Sequence, residues 1–136
     1  MDAEFGSKVQ KLRRLAGLTL YEVAQKMSVS SAFLSAIENG KKRVPDDFVS
    51  RFIAAVPDAA LELVSLEVLA NKARKQVALS LDEASINDAH LATALARKFS
   101  TLTAEQKEKI NAIIGNFAPQ GTKVVVIIVI FLSLSL

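Results

Sequence analysis

The sequence predicts an all-α chain: a helical module near the N-terminal end, a helical extension behind it and an apolar tail. Three observations carry the prediction. Apolar residues recur at helical spacing, as in Val9, Leu12, Leu15 and Ala16. Side chains that cap helix N-termini stand just before such stripes, and Gly or Asn just after them. Ala and Leu are abundant while Gly (5) and Pro (3) are few, which suits helices and not a sandwich or barrel turning about every ten residues.

The elements follow in order. Ser7 is read as the cap of a first helix that ends at Gly17. Thr19 and Glu22 form a capping box, in which each side chain bonds the other's amide, and open a short helix with Leu20, Val23, Ala24 and Met27 on its apolar side. Ser30 caps a third helix carrying Phe33, Leu34 and Ile37 and ending at Asn39-Gly40. After the basic run Lys41-Lys42-Arg43, Pro45, Asp46 and Asp47 open a fourth, with Pro near its first turn and the acids favoured by the helix dipole. Its buried side is Phe48, Val49, Phe52, Ile53 and Val56. Pro57-Asp58 starts a longer helix to about Gln76, whose Leu61, Leu63, Val64, Leu66, Val68, Leu69 and Ala73 cover more than one face. Such a helix should pack on two things, the module behind it and a second subunit or partner. Val77, Leu79 and Leu81 alternate as in an extended connector. Asn87 is read as the cap of a helix with Ala89, Ala92, Leu95, Ala96 and Phe99 on one side, and Thr103 with Gln106 boxes a last one that carries Ile110, Ile113 and Ile114 and ends at Gly115.

Both ends stand apart. Residues 1–6 carry Asp2 and Glu4 and no apolar core, unlike a secretory signal, and are read as dispensable. Residues 116–136 are a linker with Pro119 and Gly121, then thirteen uncharged residues, seven of them consecutive and β-branched. As a helix these would reach about 20 Å, short of a bilayer's ~30 Å apolar slab. Three readings stay open for the tail: a disordered or non-native extension, a strand pairing with another copy or a partner, or a membrane-associating segment.

Several chemistries are excluded. Without Cys there is no disulfide, thiolate metal site or Cys nucleophile, and a single His, His90, makes neither a zinc site nor a triad with anything to spare. His90 is read as an ordinary surface residue, Glu105, Lys107, Glu108 and Lys109 as a solvated helix face, and Asp82 and Glu83 as acids without a catalytic companion. No enzyme activity, cofactor or metal is expected. The net charge of +3 is unevenly spread. Residues 7–45 hold eight basic and two acidic side chains, whereas residues 58–115 hold seven basic and eight acidic. One end can face a polyanion and the other has no reason to.

Two short capped helices joined by a tight turn, with cations just beyond, are a helix-turn-helix pattern. Val23 and Ala24 pack on Phe33, Leu34 and Ile37, Ala24 being the place where a larger side chain would push the helices apart. Ser30, Ser31, Ala32, Ser35 and Asn39 are left for the exposed side, and Tyr21 and Phe33 are read as packing residues. Residues 12–45, LRRLAGLTLYEVAQKMSVSSAFLSAIENGKKRVP, resemble the lambda-repressor-like helix-turn-helix domain of the phage-repressor/Cro superfamily, also called the xenobiotic-response-element family. The match lies in LRRLAGLT, in VAQKMSVS and in LSAIENGKKRVP, and extends to about Val56.

The resemblance implies a sequence-specific regulator of transcription that binds double-stranded DNA, commonly as a dimer. It implies that Arg13 and Glu38 form a partly buried ion pair, that Ser31, Ala32 and Ala36 reach base edges, and that Asn39, Lys41, Lys42 and Arg43 meet phosphates, with Thr19 at a helix N-terminus near the backbone. Two departures stand out. Leu20 replaces a common Gln and cannot donate to phosphate, and Ser28 replaces the usual turn Gly and must tolerate or avoid positive φ. Small side chains at the base-facing positions also discriminate bases less than a bidentate Arg or Gln would. The resulting expectation is a cytoplasmic repressor of phage or mobile-element type. Its DNA-binding domain is residues 7–57, and residues 58–115 are a helical extension for a homodimer or partner protein. The alternative is an antitoxin, or a peptidase-controlled repressor, whose extension binds a partner.

Overall fold

In the computed structural model, which describes residues 3–115, the chain forms helices α1 (Glu4–Leu15), α2 (Leu20–Lys26), α3 (Ser31–Glu38), α4 (Phe48–Ala55), α5 (Leu63–Arg74), α6 (Ile86–Lys98) and α7 (Ala104–Ile114). Short 3-10 turns lead into α5 (Pro57–Glu62) and out of α6 (Phe99–Thr101). No strand occurs among the described residues. The readings of the tail lie outside the described residues. The helices divide into two compact units, one reaching to Val77 and the other starting at Ala78.

The first unit is built on an apolar core of Phe5, Val9, Val23, Ala24, Met27, Leu34, Ile37, Val44, Phe48, Phe52, Leu66 and their neighbours. Phe48 is its hub: Phe5 meets the ring edge-on at 5.6 Å between centroids, and Phe52 stacks on it at 6.2 Å. Ala24 is fully buried, as its packing role requires. α1 begins at Glu4 and not behind Ser7, because Phe5 has a place in this core and Glu4 puts a carboxylate at the positive end of the helix dipole. Gly6 shows how closely α1 crosses the end of α3: a Cβ there would lie 2.3 Å from the Glu38 carbonyl oxygen. α5 packs on α1 and α4, so the compact unit runs past residue 57.

Three successive helices end by the same device. After α1, α2 and α3 the chain enters the left-handed region at Gly17, Ser28 and Gly40, and the amides there bond back to the last turn. At α3, Gly40 N–H donates to the Ile37 carbonyl (3.1 Å) and Lys41 N–H to that of Ala36 (2.8 Å). Ser28 therefore tolerates positive φ, at +57°, where glycine would be unstrained.

Besides the start of α1, three boundaries differ from the sequence reading. Pro45 stands outside α4: its carbonyl accepts from Phe48 N–H (3.1 Å) in a turn that precedes the helix. The long helix expected from Pro57 is broken into the 3-10 turn and α5, and ends at Lys75 in a left-handed conformation. In the second unit Ser85, not Asn87, caps α6, because Ser85 and Asp88 satisfy each other's amides at 3.1 and 3.2 Å. Thr103 and Gln106 box α7 in the same way. Neither α6 nor α7 holds a buried residue.

Candidate nucleic-acid interface

The site is built around α3. Ser30 starts it, its Oγ accepting from Phe33 N–H at 3.0 Å. Leu34 and Ile37 turn into the core, which leaves Ala32 exposed and Ser31, Ser35 and Ala36 half-buried on the other side, with exposed Asn39 closing the helix. These five residues recur at the spacing of one helix face. The Asn39 amide donates to the Ser35 carbonyl (2.8 Å) and Oγ (3.3 Å), so its nitrogen is committed to its own helix while its Oδ1 is left as an acceptor.

α3 is held from behind by Arg13 and Glu38, both buried. The Arg13 guanidinium grips the Glu38 carboxylate with two bonds, Nε to Oε2 at 2.7 Å and Nη2 to Oε1 at 3.0 Å. Its third arm, Nη1, donates to the Leu18 carbonyl at 3.0 Å. One side chain thus fixes the C-terminal turn of α3, the end of α1 and the approach to α2. The hydrogen bonds to Glu38 hold the Arg13 pKa above its ordinary value against the opposing cost of burial. α2 is braced from α4, where Arg51 Nη2 donates to the Met27 carbonyl.

Thr19 caps α2, its Oγ1 accepting from Glu22 N–H at 3.1 Å, and is exposed. With Ser30 it places two helix N-termini at the surface of one unit, and such termini favour anions. Lys41, Lys42 and Arg43 are exposed beyond α3. Lys42 Nζ sits 5.0 Å from the centre of the Phe33 ring, and Arg43 Nη2 lies 3.7 Å from Asp46 Oδ1. The first contact steadies a cation without neutralising it, and the second is weak at this exposure. Leu20 packs against the core.

A helix with a solvent-facing stripe, locked from behind, entered by a tight turn and followed by cations is the geometry of groove insertion. Residues 4–57 match the family described as helix-turn-helix domain. This segment is a helix-turn-helix domain. Over 52 residues the chain is 40% identical to an uncharacterized HTH-type transcriptional regulator, RghRB, of Bacillus subtilis (strain 168). That alignment takes in 38% of this chain and spans 37% of the relative. No solved structure matches the chain.

The helix-turn-helix domain departs from the sequence reading at Tyr21, which is 61% exposed and not a packing residue. Its hydroxyl accepts from Gln25 Nε2 at 2.7 Å on the outer side of α2. Phe33 does pack, half-buried against the core. The sequence reading assigns no role to Arg51 or Arg74: they act on backbone carbonyls far along the chain, and such interactions leave no periodic signal. His90 is exposed on α6. Among the described residues no group of three or more His, Asp or Glu could hold a metal ion, and no helix is long and apolar enough to cross a membrane.

Proposed function

We propose that the chain is a regulator of transcription that binds double-stranded DNA through α3, with no catalytic activity of its own. The observation that carries this is the solvent-facing stripe of short side chains, Ser31, Ala32, Ser35, Ala36 and Asn39, backed by the buried Arg13–Glu38 pair and flanked by Lys41, Lys42 and Arg43. The stripe enters the major groove, and Thr19, Ser30 and the three cations take the phosphates on either side. Side chains this short read bases sparingly, so groove shape and phosphate binding carry much of the selectivity. The finer reading is a cytoplasmic repressor of phage or mobile-element type that acts by occupancy. It works as a homodimer with two α3 helices about 34 Å apart along the duplex. Leu63, Val64 and Val68 of α5 are exposed and support a subunit contact.

The test is binding to duplex DNA over a range of salt. Affinity falls steeply as salt rises. Replacing Lys41, Lys42 and Arg43 by Ala weakens binding to all sequences alike and flattens the slope by roughly 0.9 for each phosphate no longer neutralised. An unchanged slope contradicts the phosphate assignment.

A second reading draws on the unit from Ala78. Ile86, Leu91, Phe99, Ile113 and Ile114 are all more than 60% exposed on α6, α7 and the turn between them, a surface suited to a partner protein. In this reading the chain is an antitoxin, or a repressor controlled by a peptidase. A stoichiometric protein partner co-purifying from the native cell favours it, and a homodimer on DNA favours the first.

A further inference from the structure

We propose that Arg74, at the end of α5, is a positioning residue for the DNA contact: it clamps the loop that carries Lys41, Lys42 and Arg43. This rests on the DNA-binding reading above and adds to it a residue outside the helix-turn-helix match, which ends at residue 57. The loop between α3 and α4 has no regular structure of its own. Its near end is fixed by Gly40 and the amides bonded back to α3. Its far end is fixed by Arg74. Nε of Arg74 donates to the Val44 carbonyl at 2.7 Å and Nη2 to that of Pro45 at 3.2 Å.

The guanidinium is itself held, since Nη1 donates to Asn71 Oδ1 at 2.8 Å one turn earlier on α5. The side chain is 9% exposed, too deep to touch a phosphate itself. It therefore acts through the loop. Two consecutive carbonyls taken by one planar fork is a geometry that Lys cannot reproduce. The same guanidinium lies 3.7 Å from Asp46 Oδ1, the carboxylate that also faces Arg43 at 3.7 Å. Arg74 so draws part of the Asp46 charge away from Arg43, which remains available to an external anion. Three cations are thereby strung between two anchors, and the entropy of ordering them is met before DNA arrives.

The experiment uses the full chain, a fluorescently labelled duplex of mixed sequence about 30 base pairs long, and a salt titration of the affinity, with thermal unfolding establishing that each variant is folded at the assay temperature. Arg74→Met lowers affinity on the order of tenfold and reduces the salt slope by about one to two. Arg74→Lys falls between it and the parent, and Asn71→Ala, which frees the guanidinium without removing it, shifts both quantities the same way by less. Leu69→Ala, which loosens α5 against the core and keeps Arg74 and Asn71, lowers the melting temperature but leaves the slope unchanged. In the free protein, trypsin cuts after Lys41, Lys42 and Arg43 faster in Arg74→Met than in Leu69→Ala of similar melting temperature. Parental affinity and slope in folded Arg74→Met overturn the clamp; if that variant does not fold, parental values in Asn71→Ala overturn it. A parent chain that shows no salt-dependent affinity for any duplex instead overturns the DNA-binding reading itself.

Discussion

The two units of this chain make helices by the same local rules and bury them very differently. α2 and α3 start with Thr19 and Ser30, α6 and α7 with Ser85 and Thr103, and all four hydroxyls accept from the amide three residues on. Yet α2 and α3 contribute Val23, Ala24, Leu34 and Ile37 to a core, whereas α6 and α7 bury nothing. Capping and periodicity decide where a helix begins and ends. They do not decide whether its apolar face finds cover. In the first unit that cover comes from α1, α4 and α5, and the closure leaves one stripe of α3 facing water. Among the described residues of the unit that begins at Ala78, Ile86, Leu91, Phe99, Ile113 and Ile114 are left outside, which is why a partner surface is proposed there and a DNA surface is not.

Substitutions can break or sharpen this contrast. The largest effect falls on the buried pair. Glu38→Ala strands the Arg13 guanidinium in the core and costs on the order of 3–5 kcal/mol of unfolding free energy in urea, whereas Arg13→Met combined with Glu38→Leu recovers most of it. Next is Gly6→Ala, whose methyl group meets backbone carbonyls of α3 that cannot swing aside. It costs about 1–3 kcal/mol in the same measurement and loosens the stripe against α1. Ser28→Gly works the other way: relieving a non-glycine residue at φ +57° raises stability by up to about 1 kcal/mol, read as a higher melting temperature. The smallest effect marks the second unit. Ile113→Ala, at a residue 85% exposed, changes stability by less than about 0.5 kcal/mol in the isolated chain.

Much of the first unit is legible in the sequence because its signals are local. The capping side chains, the left-handed residues after α1 and α3, and the core stripe of α4 all stand within a few residues of what they determine. The Arg13–Glu38 pair joins residues 25 positions apart and is reached only through a family resemblance. Phe5 reads as part of a dispensable end because its partner Phe48 is far along the chain. Arg74 escapes for the same reason: it bonds carbonyls, which every residue carries, so no residue type marks its target. Tyr21 is misjudged because an aromatic ring at a helix start fits a core or a surface equally well until the neighbouring helix is placed.

Backbone amide NMR of the folded chain, titrated with duplex DNA at low ionic strength, tests the central claim most directly, because it reports both units at once. Shifts confined to Thr19, residues 30–39 and residues 41–43, with α6 and α7 silent, are the predicted result. Shifts that leave α3 untouched at saturating duplex, or that fall only in the unit beginning at Ala78, would contradict it.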